Sequence, residues 1–93
     1  ADRVCIMGGS YGGFAALTGI SRAGGFNYRC AVAYAGPADL ETLVQAFPPS
    51  WQPFLPRSWY RFVGRPDQPG DVERMRARSP LTHVGNMRAP LLI

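Results

Sequence analysis

The sequence predicts an α/β fold, in which helices connect the strands of a parallel sheet. Short apolar runs of strand length occur at about residues 3–7, 30–35 and 89–93. A helical pattern at about 12–23 separates the first two runs, and glycine-rich stretches stand at the junctions between elements. A strand, a helix and a second strand at this spacing form a βαβ unit, whose strands run parallel.

The first two strands and the helix between them follow from local composition. Residues 3–7 form an apolar run of the length expected for a strand buried on both faces. The helix at 12–23 has apolar and small residues on a shared face, and Gly24 follows its end. Residues 30–35 are the second strand, which Gly36 and Pro37 terminate.

Residues 38–78 are predicted to form short helices. Asp39 is placed to cap a helix over 39–47. Six prolines then interrupt residues 48–70, where five bulky aromatic residues supply apolar surface, so only short helical pieces are expected. A further short helix is predicted at 71–77, and the third strand follows at 89–93.

Composition and charge exclude several classes of function. All ten basic residues are arginine, and the net charge of +4 is spread along the chain instead of forming the dense stripe of a nucleic-acid-binding surface. No apolar stretch approaches the length of a membrane span. Cys5 and Cys30 lie in apolar stretches and are interpreted as buried thiols. None of these features indicates a cellular compartment.

The segment Gly8-Gly9-Ser10-Tyr11-Gly12 has the pattern G-x-S-x-G between a predicted strand and a predicted helix. A strand that turns sharply into a helix holds its serine in a strained conformation, which requires small neighbours. The glycines at 8 and 12 are expected to let the strand and the helix approach closely, with Gly9 and Gly13 extending that freedom. Ser10 is therefore predicted to be a nucleophile, with the Tyr11 backbone N–H as a donor to the oxyanion.

Two other interpretations of these glycines fail, and one stays open. A phosphate-binding P-loop requires a lysine, and the chain has none. The dinucleotide fingerprint G-x-G-x-x-G does not occur. The remaining alternative is a glycine-rich turn in which Ser10 only caps the helix.

The segment GGSYGG after an apolar strand resembles the prolyl oligopeptidase family of serine peptidases, which have the α/β-hydrolase fold. The resemblance extends along nearly the whole chain. It includes Ala31–Pro37, Phe62–Pro66, Arg78–Leu81 and Ala89–Ile93. It implies that residues 1–93 are a partial catalytic domain, truncated at both ends.

The resemblance also implies a function. The enzyme would hydrolyse peptide bonds through an acyl-enzyme on Ser10, without a metal or an organic cofactor. The family's catalytic acid lies just beyond the strand that begins at Ala89 and its histidine follows, so both are expected outside this chain and the chain alone is expected to be inactive. The expected partners are a peptide substrate and the rest of a parent chain, with upstream strands and a β-propeller. In the family, the segment after the second strand provides apolar pocket walls, which makes Phe47 and Trp51 candidates for substrate binding.

Three alternatives stay open. The chain could contain a complete triad, because Ser10, an aspartate and His83 occur in the order serine, acid, histidine that this fold uses. His83 is the only histidine, and the candidate acids are Asp39, Asp67 and Asp71. The expected interpretation of His83 is instead a linker residue. The second alternative is an esterase or lipase on the same fold. The third is a non-catalytic binding domain with the α/β-hydrolase fold.

Overall fold

The computed structural model describes residues 3–93, which form a three-stranded parallel sheet and several helices. The chain divides into two compact units. The first comprises the residues up to Ala38 together with Pro80–Ile93, and the second comprises Asp39–Ser79. The sheet and the glycine-rich serine motif both lie in the first unit.

The three strands run parallel, as predicted. Its strands are β1 (Cys5–Gly9), β2 (Cys30–Tyr34) and β3 (Leu91–Leu92), in the order β1-β2-β3 and all parallel. Helix α1 (Tyr11–Ser21) joins β1 to β2, and a 3-10 helix (Pro80–Asn86) precedes β3. The boundaries differ from the prediction, because β1 begins and ends two residues later than expected, and its last two glycines pair with Ala33 and Tyr34 of β2.

One face of the sheet packs against α1. Ala31 and Ala33 are buried on that face, together with Ala16, Leu17 and Ile20 of the helix. On the other face the side chains of Met7, Tyr34 and Leu92 are 78%, 76% and 65% exposed. The prediction that the first strand, at residues 3–7, is buried on both faces is therefore wrong for the part of the chain that the structure describes, which covers a single face of this sheet with a helix.

Cys5 and Cys30 form a disulfide bond, so their interpretation as two buried thiols is wrong. The two residues stand directly opposite each other in the β1–β2 register, with their Cα atoms 4.7 Å apart. This separation lies within the range that a disulfide requires. The pairing depends on the register of the sheet, which the separation of 25 residues along the sequence does not specify.

We expect reduction of this disulfide to destabilise the unit that carries β1 and β2. Closing a loop of this length restricts the unfolded chain and contributes about 3 kcal/mol to the free energy of unfolding. Denaturant unfolding of the full protein with and without reductant measures the effect. The double variant Cys5→Ser, Cys30→Ser is the control. It lacks this disulfide, so reductant should not change its denaturant midpoint. Peptide mapping that finds both thiols alkylated without prior reduction would contradict the assignment.

The second unit consists of short helices, as predicted. They are α2 (Leu40–Gln45), a 3-10 helix (Pro49–Arg57), α3 (Trp59–Phe62) and α4 (Pro69–Arg78). Leu40, Val44, Leu55 and Met75 are buried in it.

Asp39 occupies the capping position of α2, but its side chain makes no capping hydrogen bond. The Leu40 N–H instead donates to the hydroxyl oxygen of Ser79 at 2.9 Å, so a serine 39 residues away supplies the acceptor. Among residues 3–93, no helix is both long and apolar enough to cross a membrane.

Candidate functional site

Ser10 links the end of β1 directly to the start of α1, and its backbone is strained. Its φ of 54° and ψ of −119° lie in a region that residues other than glycine rarely adopt. The Ser10 N–H donates to the Tyr34 carbonyl oxygen at 2.9 Å, and the Ser10 carbonyl oxygen accepts from the Gly13 N–H at 3.0 Å. Hydrogen bonds on both sides therefore hold this conformation, and the predicted sharp turn is confirmed.

The Ser10 side chain does not cap the helix. Ser10 stands at the N-cap position of α1, yet its hydroxyl makes no hydrogen bond to the first turn. The residue is exposed. The alternative in which Ser10 only caps the helix is therefore wrong, and the hydroxyl is accessible at the end of the strand.

Two close backbone approaches explain two of the four glycines around Ser10, Gly8 and Gly13. A Cβ on Gly8 would lie 2.1 Å from the Gly12 carbonyl oxygen, and a Cβ on Gly13 would lie 2.6 Å from the Gly36 Cα. Neither position tolerates a side chain, because real Cβ contacts of that length do not occur. Gly12 differs from the prediction, since a Cβ there would meet no atom within 4 Å. The sequence analysis assigned Gly36 only to the end of the second strand and missed its close approach to Gly13.

The backbone N–H of Tyr11 is available beside the serine. Tyr11 is the first residue of α1, so its N–H has no acceptor within the helix. The start of a helix also carries partial positive charge, which favours a negative atom there. The structure therefore brings together an exposed hydroxyl and an N–H donor in adjacent residues, in the arrangement expected of a serine nucleophile and its oxyanion donor.

The other members of the alternative triad have structural surroundings of their own. His83 lies at a kink in the 3-10 helix before β3 and is half-buried. Asp67 pairs with Arg65, whose hydrogen bond lowers the pKa of that carboxyl, and Asp71 pairs with Arg74. Both aspartates are thus engaged in exposed ion pairs within the second unit, which give no support to a triad built from this chain alone.

Asp39, the third candidate acid, lies 3.3 Å from the hydroxyl oxygen of Ser79 within the second unit. Among residues 3–93, no three or more His, Cys, Asp or Glu side chains are grouped closely enough to hold a metal ion.

Phe47 and Trp51 belong to an aromatic cluster in the second unit. The Phe47 ring centroid lies 5.1 Å from that of Trp51 and 4.9 Å from that of Trp59. Trp51 is nevertheless 48% exposed. The three rings pack against one another and leave the Trp51 indole half-exposed, so Trp51 is available for contact with a ligand.

Comparison with known proteins identifies the family that the sequence resembles. A family model described as the prolyl oligopeptidase family matches residues 1–93. The chain is 40% identical over 92 residues to dipeptidyl aminopeptidase BIII of Pseudoxanthomonas mexicana, covering 99% of this chain and 13% of that protein. It is 35% identical over 94 residues to dipeptidyl peptidase family member 6 of Caenorhabditis elegans, covering 99% of this chain and 12% of that protein.

Proposed function

The chain belongs to the prolyl oligopeptidase family, and on that premise we propose that Ser10 is the nucleophile of a serine peptidase. Residues 1–93 would form part of its catalytic α/β-hydrolase domain. The observation that carries the proposal is the strained, exposed and uncapped Ser10 at the junction of β1 and α1. A serine in such a conformation projects its hydroxyl from the end of the sheet.

The proposed reaction is acyl transfer. The Ser10 Oγ attacks the carbonyl carbon of the scissile bond and loses its proton to a base. The resulting oxyanion accepts a hydrogen bond from the Tyr11 N–H. Collapse of this intermediate breaks the C–N bond, and the amine leaves with the proton from the base. Water then hydrolyses the ester on Ser10, which restores the hydroxyl and releases the acid product.

The base and its orienting acid are proposed to lie in other segments of a longer protein. The chain spans 13% and 12% of the two relatives, which leaves ample sequence for both groups. The exposed sheet face agrees with this proposal, since Met7, Tyr34 and Leu92 present apolar surface that further segments would cover. Upstream strands and a β-propeller are the segments that we expect around it.

The proposed substrates are peptides from which a dipeptide is released at the amino terminus. Both relatives are dipeptidyl peptidases by name. A serine peptidase that kept this exopeptidase pattern would hydrolyse chromogenic dipeptidyl amides faster than amides with a blocked amino terminus. An esterase would instead favour short acyl esters over both amides.

Covalent labelling tests the proposal. A serine-directed phosphonate should label the full protein on the peptide that contains Ser10, and the dipeptidyl amide should compete with the label. Labelling on another serine would contradict the assignment of the nucleophile. A protein that neither takes the label nor turns over any amide or ester would instead be the non-catalytic binding domain.

Trp51 is proposed to contribute an apolar wall for substrate. The Trp51 indole is half-exposed beside Phe47. Trp51→Ala should therefore change the order in which the enzyme prefers substrates that differ in the side chain before the scissile bond. We expect the change in kcat/KM to differ by about tenfold between the most and the least affected substrate. Phe54→Ala is the control, since Phe54 is also exposed but has no ring partner among residues 3–93. An unchanged ranking with Trp51→Ala would overturn this role.

A further inference from the structure

The described residues of the first unit carry an excess of positive charge. Its described residues include four arginines and no aspartate or glutamate. The arginines are Arg3, Arg22, Arg29 and Arg88. All five acidic residues within 3–93 belong to the second unit. Positive charges on one unit repel each other, and a bound anion would reduce this repulsion.

These arginines lie towards one end of the sheet, away from Ser10. Arg29 immediately precedes β2 and Arg88 lies shortly before β3, whereas Arg22 follows the last residue of α1. Parallel strands begin at the same edge, so this edge is opposite the one at which Ser10 follows β1. At about 3.3 Å per residue, the length of a five-residue strand separates the two edges by about 15 Å.

A cavity of about 380 Å³ lies at this edge, and Arg22 and Arg88 are among the residues that line it. Asn27, Asn86, Phe26 and Tyr28 also line it, and the rings of Phe26 and Tyr28 lie 4.7 Å apart. The Asn86 side-chain amide donates to the Ser21 carbonyl oxygen at 3.2 Å, which fixes that part of the wall to the end of α1. The cavity therefore combines two cations with amide groups and an aromatic surface.

The two guanidinium groups retain unused donors. Arg22 has no side-chain hydrogen bond or ion pair among residues 3–93. One terminal nitrogen of Arg88 donates to the carbonyl oxygens of Gly85 and Met87, at 2.8 and 3.1 Å. Those two bonds orient the Arg88 fork and leave its other nitrogens available to a ligand.

The carbonyl end of α1 lies beside the cavity, and two of its last four carbonyl oxygens accept hydrogen bonds. The Thr18 carbonyl oxygen accepts from the Arg22 N–H at 3.1 Å, and the Ser21 carbonyl oxygen accepts from Asn86. The Arg22 carbonyl oxygen accepts from the Gly25 N–H at 3.2 Å. An anion in the cavity therefore meets the full charges of two arginines, which exceed the partial negative charge of the helix end.

We propose that this cavity binds a phosphate group, held by Arg22 and Arg88. Two guanidinium groups carry two positive charges, so they match a phosphate dianion better than they match a carboxylate, which carries one charge. The planar arrangement of their N–H donors also suits phosphate oxygens. The site is distinct from Ser10 and does not depend on any peptidase activity. Free phosphate and a phosphate monoester present the same group, and the experiment separates the two.

Calorimetric titration of the full protein tests the site. At about pH 8 a phosphate monoester carries two charges, so inorganic phosphate and phenyl phosphate should bind saturably and acetate should not. Arg22→Gln and Arg88→Gln should each weaken phosphate binding by about tenfold or more. Tighter binding of phenyl phosphate identifies a monoester as the ligand, and tighter binding of inorganic phosphate identifies the free anion.

Arg57→Gln is the matched control, because it removes the same charge from an exposed residue of the second unit. Arg22→Gln is the decisive variant, since the Arg22 side chain has no hydrogen-bond or ion-pair partner within the described residues 3–93 that the substitution would remove. The unfolding temperature of each variant shows that it is folded. Absence of saturation, equal binding of acetate, or an equal loss in Arg57→Gln would each overturn the proposal.

Discussion

Ser10→Ala should lower kcat/KM of the full protein for its best dipeptidyl amide by at least about 10⁴-fold, while leaving its stability nearly unchanged. The loss follows because no acyl-enzyme can form without the hydroxyl. Stability is preserved because alanine keeps the Cβ and the hydrogen bonds of the backbone, in which the hydroxyl takes no part. Steady-state kinetics and phosphonate labelling measure the first effect, and thermal unfolding measures the second.

Ser10→Gly sharpens this test, since it should give an equally inactive but more stable protein. Glycine adopts a positive φ without the steric cost that serine pays at 54°, so the gain should be about 1 kcal/mol. Ser50→Ala is the control, because Ser50 is an exposed serine of the second unit. Retention of substantial turnover by Ser10→Ala would exclude Ser10 as the nucleophile.

The serine turn could be predicted from the sequence because all of its determinants are local. An apolar run, the motif Gly8–Gly12 and the start of a helical pattern follow one another within residues 4–17, and this local pattern predicts the bend at Ser10. The parallel direction of β1 and β2 was predictable for a similar reason, since a βαβ unit has few arrangements. The positive φ of Ser10 is the strained backbone conformation that the G-x-S-x-G pattern predicts.

Contacts that depend on strand register could not be predicted in this way. Cys5 pairs with Cys30 only because the β1–β2 register sets them opposite each other. Gly13 and Gly36 are likewise 23 positions apart in number and meet because α1 crosses the end of β2. Ala35 has a φ of 50°, next to that crossing, although alanine gives no sign of a positive φ in a sequence.

The glycines around Ser10 also permit a comparison in which one methyl group has opposite effects at two positions. Gly8→Ala should destabilise the protein by about 3 kcal/mol and lower kcat/KM by about 100-fold. Its Cβ would lie 2.1 Å from the carbonyl oxygen and 2.8 Å from the Cα of Gly12, and both atoms are backbone. The first turn of α1 would have to move, and Ser10 and the Tyr11 N–H would move with it.

Gly12→Ala should instead leave kcat/KM within about threefold and raise stability by about 0.5 kcal/mol, because alanine favours the helix and its Cβ meets no atom within 4 Å. Thermal unfolding and kinetics of both variants, with phosphonate labelling to count intact sites, measure the contrast. If the two variants behaved alike, the approach of the Gly12 carbonyl to Gly8 would not be what shapes the turn. The opposite signs follow only if β1 and α1 meet at Gly8, which is the contact that sets the position of the Ser10 hydroxyl.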